Sequence, residues 1–160
     1  MTVKTIKQPH HEPLTLQEVK SYLNIEHAHE DDKLLPLMIA VRDLAETYTG
    51  RAFIQQTLCL TTPLDLAHSP HKKPNGISYK LLPGRVAIRL PRPPLMHIEQ
   101  VQLMNEKGDV LEVPQDKWHI NTGYDPAVLI VDCAHRLFNR LQVTYLAGYG
   151  EHSCCDSSGA

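Results

Sequence analysis

Nothing in these 160 residues is long and apolar enough to cross a bilayer as a helix. The longest tempting run, Leu34 to Val41, falls far short of the roughly 20 residues a span requires, and it predicts a packed helix instead. A secretory signal is missing too: the lysines of Met1 to Lys7 are followed by Gln8, Pro9, His10 and His11, with no apolar core behind them. The protein is therefore expected to start out in the cytoplasm. The four cysteines make no disulfide framework. Cys59 and Cys133 are isolated in apolar surroundings and read as small buried hydrophobes, while Cys154 and Cys155 are neighbours in a polar tail and cannot easily pair with each other.

Catalytic signatures are equally scarce. There is no Gly-x-Ser-x-Gly elbow, and Gly148 and Gly150 are not followed by a helix whose amides could cradle phosphate. Six of the ten histidines fall as adjacent or near-adjacent pairs in an arm, a linker and a proline-rich loop. None of these pairs has the spacing with cysteine that a zinc site needs, and His152, Cys154 and Cys155 lie where no fold would fix them. The expectation is no enzyme, no cofactor and no metal; an orphan hydrolase ranks last among the readings considered.

What is present is an ordinary globular balance, 42% hydrophobic and 21% charged, enough for one domain. The formal net charge of −2 hides a segregation: residues 1–50 carry −3, residues 51–100 carry +5 and residues 101–160 carry −4. The basic middle (Arg51, Lys72, Lys73, Lys80, Arg85, Arg89, Arg92) can neutralise phosphate or meet an acidic neighbour. Arg85 and Arg89, four apart on a strand, share a side, with Arg92 beyond them; these three are the candidate phosphate- or partner-facing residues. No aromatic residues interleave with them as a single-strand platform would require.

Residues 1–12 lack periodicity and read as a flexible arm. Thr15-Leu-Gln-Glu18 is a capping box that opens a short helix ending near Asn24, with Leu16, Val19, Tyr22 and Leu23 on one face. Glu30, Asp31 and Asp32 open a second helix, with Pro36 early enough to be tolerated and Gly50 placed as a left-handed cap. Its apolar positions, Leu34, Leu37, Met38, Val41, Leu44, Ala45 and Tyr48, recur at three and four and predict a packing or assembly face, leaving Lys33, Arg42, Asp43 and Glu46 outside.

After Gly50 the period changes to two. Strands are predicted at Gln55–Thr61, Val86–Leu90, Trp118–Ile120, Val128–Val131 and Leu141–Tyr145, with a hairpin from Val101 and Leu103 through Asn105–Gly108 to Val110–Val113. Residues 63–76 read as an exposed loop and residues 151–160 as a disordered tail. The fold class is α+β: a helical pair over 13–50, then a β-rich part of short antiparallel strands over 51–150, within one domain.

The motifs "PLTLQEVKSYLNI", "DDKLLPLMIAVRDLAETYTGRAFIQQT", "IRLPRPPLMHIEQVQLMNEKGDV", "WHINTG" and "LQVTYLAGYG" resemble those of phage and prophage head-tail connector proteins, the gp6-like and phiE125 gp8-like adaptor family, over about residues 13–150. The resemblance implies a structural subunit of a tailed phage, prophage or gene transfer agent. It implies a closed ring of identical copies, twelvefold, under a portal protein and against a stopper or tail-completion protein. DNA passes through such a ring, which places the chain in the virion neck after assembly in the bacterial host cytoplasm. Where the family continues with a proline and a long amphipathic helix, this sequence reads Glu-His-Ser-Cys-Cys-Asp-Ser-Ser-Gly-Ala. The closing helix is thus expected to be absent, leaving Leu37, Val41 and Leu44 short of cover. A small nucleic-acid-binding accessory protein of a mobile element is the alternative reading.

Overall fold

Among the described residues one strand precedes two helices and eight strands follow them. The computed structural model describes residues 1–64, 79–82, 85–132 and 138–150. In chain order the elements are β1 (Thr2–Lys7), α1 (Leu16–Leu23), α2 (Asp31–Thr49), β2 (Gln56–Pro63), β3 (Tyr79–Leu82), β4 (Arg85–Arg89), β5 (Leu95–Met104), β6 (Val110–Glu112), a short 3₁₀ turn (Gln115–Lys117), β7 (Trp118–Asn121), β8 (Val128–Asp132) and β9 (Arg140–Ala147). The α+β expectation of a helical pair followed by short antiparallel strands holds. Most of the expected loop over 63–76, Cys133 and the expected tail over 151–160 lie outside the described residues.

The strands form two sheets, β1-β2-β9-β5-β6 and β3-β4-β8-β7, antiparallel throughout. Alternation of side chains across each strand decides what they bury. In the first sheet Leu58 stands opposite Tyr145 and Leu60 opposite Val143, and Val143 in turn faces Val101 on β5. In the second sheet Val86 faces Val131 and Ile88 faces Leu129. All of these belong to one buried cluster shared by the two sheets. The Tyr145 hydroxyl donates to the Pro91 carbonyl at 2.6 Å, and burial pushes its phenol well above the usual range. Cys59 lies on the other side of β2, half-buried with a free thiol, instead of inside the core.

The N-terminal arm is not free. Thr2–Lys7 pairs along the outer edge of β2, Val3 opposite Leu60 and Thr5 opposite Leu58, and Val3 packs against the core. An unpaired sheet edge offers a ladder of amides and carbonyls, so backbone bonding orders a segment whose side chains alone would not. The run Thr-Val-Lys-Thr-Ile is rich in β-branched residues, which is the local signal for this strand.

At the start of α1 the Glu18 amide donates to Thr15 Oγ1 at 3.2 Å, and the Thr15 amide donates to Glu18 Oε2 at 2.7 Å, as the capping box requires. The helix ends at Asn24, which is left-handed at φ 55°. Lys20, on the buried side of α1, reaches Asp31 at 2.7 Å and ties the two helices together. α2 continues through Pro36 to Gly50, left-handed at φ 69°.

The orientation of α2 reverses one expectation. Arg42 and Glu46, expected outside, are buried at 4% and 0% exposure, while Lys33 and Asp43 are exposed as expected. Glu46 accepts from the Phe53 amide at 2.7 Å, from Gln56 Nε2 at 2.9 Å and from Arg42 at 3.3 Å. Arg42 also donates to Glu12 at 2.8 Å and to Asp43 at 3.0 Å. Desolvation works to lower the Arg42 pKa, but the hydrogen bond and charge of Glu12, with Glu46 and Asp43, more than offset it, and the group stands above its ordinary value. A buried carboxylate needs donors, and the sheet and the chain entering it supply them only to this side of the helix.

After α2 the chain passes between two neighbouring segments: the Ala52 amide donates to the Pro93 carbonyl, and the Gln55 amide to the Gly150 carbonyl. Gly148 lets this happen, since a Cβ there would lie 2.4 Å from the carbonyl carbon and oxygen of Ile54, and its φ is +133°. Gly148→Ala is therefore expected to cost about 3 kcal/mol or more, against about 1 kcal/mol for Gly50→Ala, which meets no atom and carries only the left-handed penalty. Urea unfolding of the two variants checks this order. Glu46→Ala, which strips the Phe53 amide and Gln56 of their acceptor, is expected to lower stability by about 3–5 kcal/mol. A loss under about 1 kcal/mol in the same assay would show that the network does not hold the helix.

Candidate functional site

Turning Arg42 and Glu46 inward leaves the apolar side of α2 pointing away from the core. Of the seven residues expected to form a packing or assembly face, Leu34 is buried and Met38 and Ala45 are half-buried. Leu37, Val41, Leu44 and Tyr48 are 58%, 62%, 70% and 92% exposed. Leu35 and Ile39 on α2, and Tyr22 and Leu23 on α1, are exposed as well. Between the two helices runs an open groove of about 840 Å³, with Val19, Tyr22 and Leu23 on the α1 side and Leu37, Met38 and Val41 on the α2 side. An apolar surface this continuous is the kind that binds protein, membrane or an apolar ligand. The polar residues along the groove are Glu12, Glu18 and Arg42, with Arg42 bonded to Glu12 and Glu18 to the Thr15 amide.

The basic candidates separate into two environments. Arg85 and Arg89 are both exposed on the outward side of β4, as their spacing predicts. Arg85 Nε donates at 2.7 Å to Asp132, its register partner on β8, and so is neutralised. Arg92 does not continue that row. Held between Pro91 and Pro93 at φ +58°, it turns inward, and its guanidinium lies 3.8 Å from Glu46.

Arg89 and Arg92 instead share a second concavity, of about 330 Å³, with Arg51, which follows the cap of α2. Arg51 donates to the Tyr149 hydroxyl at 2.6 Å and to the Asp125 carboxylate, and these contacts raise its pKa, the Asp125 hydrogen bond foremost. Arg51 was visible only as one of seven basic residues in the middle segment; its convergence with Arg89 and Arg92 depends on the turn at Gly50 and on the proline-rich turn after β4, which carry no periodic signal. Among the described residues no group of three or more metal-ligating side chains is assembled, and no helix is long and apolar enough to cross a membrane.

Comparison with known proteins gives the frame for these two surfaces. No curated protein matches this chain by sequence. Among solved structures, it is similar to a chain from the neck of an empty gene transfer agent particle computed with C6 symmetry. The TM-score is 0.65 at 18% identity, covering 94% of this chain and 73% of that one. A chain from the virion of a native gene transfer agent particle is similar with a TM-score of 0.62 at 17% identity and the same coverage. At such identity the likeness is one of fold. A family model described as phage gp6-like head-tail connector protein matches residues 13–80, the stretch that holds both helices, their outward apolar face and β2. Over residues 13–80 the chain therefore carries the sequence signature of the phage gp6-like head-tail connector family, the family its motifs resemble.

Proposed function

We propose that this protein is a structural head-tail connector subunit, which assembles into a ring in the neck of a tailed phage, prophage or gene transfer agent particle. One observation carries the reading: the helix pair presents Leu37, Val41, Leu44 and Tyr48 outward while burying Arg42 and Glu46. An isolated chain has no reason to keep charge inside and leucine outside; a subunit whose helix face is covered by a neighbour does. The match of residues 13–80 to the connector family, and the likeness in fold to chains of a gene transfer agent neck, support the same conclusion.

The role is assembly, with no catalytic step assigned. We assign the outward face of α2 to contact between copies. One patch meeting a different patch on the next copy gives a head-to-tail interface, and such interfaces close into rings. A copy number of twelve agrees with a neck assembly of sixfold symmetry, since six divides twelve. In this reading the ring sits between a portal protein and a stopper or tail-completion protein.

Native mass spectrometry tests it. The wild-type chain is expected as a closed oligomer, or as a mixed complex with portal subunits, whereas Val41→Asp and Leu44→Asp are expected to stay monomeric. Both positions are exposed, so their unfolding midpoints should shift by no more than about 0.5 kcal/mol equivalent. A wild-type chain that remains monomeric both at high concentration and with portal present would overturn the proposal, and so would two variants that assemble as it does.

A further inference from the structure

We infer that the concavity lined by Arg51, Arg89 and Arg92 is a binding site for a backbone phosphate of nucleic acid. Three arginines line it with a single lining carboxylate, that of Asp125, which is engaged by Arg51. Glu46, behind the pocket, attracts Arg92 from 3.8 Å, too far for a hydrogen bond, and is already supplied by Arg42, Gln56 and the Phe53 amide. Among the described residues the side chains of Arg89 and Arg92 therefore make no hydrogen bond, and Arg89 has no ion pair. The planar forks of two arginines are left to an oxyanion from outside.

A second observation points the same way. Arg92 is held at φ +58°, a backbone conformation that costs a non-glycine residue and that glycine would adopt without strain. It lies between Pro91 and Pro93, and its side chain joins the lining of the pocket instead of continuing the β4 row. Strain of this kind that places a functional group is characteristic of binding sites.

From Arg89 at the pocket the exposed side of β4 runs on to Arg85, roughly 13 Å away at the rise of a strand and already paired with Asp132. A phosphodiester chain can occupy the pocket with one phosphate and continue along this open side of β4, with Arg89 as the unpaired charge. Lysine and arginine contacts of this kind neutralise phosphate without reading sequence. That nucleic acid is the source of the phosphate rests on the connector reading; the pocket itself belongs to a single chain and does not.

The test is fluorescence anisotropy of a labelled random-sequence DNA duplex titrated with the full chain at low salt. The comparison set is wild type, Arg89→Gln, Arg92→Gly, which removes the charge while relieving the backbone, and Lys107→Gln on the exposed turn after β5 as control. Arg89→Gln and Arg92→Gly are each expected to weaken binding about fivefold and to lower the slope of log affinity against log salt by about one, with Lys107→Gln unchanged. Equal affinity of wild type and both pocket variants overturns the proposal, as does absence of salt-dependent binding by wild type. Titration with inorganic phosphate separates the sources: pocket-dependent binding of phosphate without binding of DNA makes this a site for free phosphate and overturns the nucleic-acid assignment. Native mass of the same variants covers the remaining occupant. Loss of the oligomer in Arg89→Gln with DNA binding unchanged would assign the pocket to a carboxylate of the next copy, while a monomeric wild type that still binds DNA through the pocket would remove the ring and leave this site standing.

Discussion

The constraint on which the rest depends is the buried carboxylate of Glu46. Removed from water, it must be met by donors, and it finds them in Arg42 one turn earlier, in Gln56 at the start of β2 and in the Phe53 amide between them. These donors belong to one face of the helix and to the chain that leaves it. α2 therefore cannot roll about its axis to hide its leucines without stripping Glu46 of its partners. Breaking a buried pair costs far more than an exposed leucine does. The polar network fixes the rotation of the helix, and the outward apolar face is its consequence.

Fixing that rotation divides the molecule into two kinds of surface. The shared core of the two sheets closes on itself through Leu60, Val143, Val101, Ile88 and Leu129 and needs nothing from outside. The helix pair, tied together by Lys20–Asp31 and to the first sheet by the bond from Gln56 to Glu46, is complete on its polar side and incomplete on its apolar one. A body bearing a preformed apolar face loses little conformational freedom when a neighbour covers it, which favours association over further folding.

Much of the fold was legible in the sequence because its signals are local. The capping box at Thr15, the left-handed Gly50, the Asn105–Gly108 turn and the alternation in Val86–Ile88 and Leu141–Tyr145 each act within a few residues, and each appears where expected. What was misread depends on partners far along the chain. The strand Thr2–Lys7 exists because β2 offers it an edge some 55 residues later. The burial of Arg42 and Glu46 was missed for a related reason: periodicity identifies the apolar stripe but not what covers it, and the polar side of α2 was assigned to the outside although Gln56 and the Phe53 amide claim Glu46. Arg51 escaped notice because only the folded turn after Gly50 brings it beside Arg89 and Arg92.

The two surfaces meet at Glu46, and the geometry there keeps them independent. Arg42 approaches this carboxylate from the helix side and Arg92 from the pocket side, yet only the first is within hydrogen-bonding distance. If an anion draws Arg92 away, Glu46 keeps three donors and the helix keeps its rotation, so occupation of the pocket does not loosen the assembly face. Arg42, in turn, has Glu12 and Asp43 as further partners, so its charge stays balanced whatever Arg92 does. Under the two proposals above, a subunit that holds its neighbours while a polyanion comes and goes needs this separation. Placing the shared carboxylate deep inside, with its strong bonds on the side of the helix, provides it.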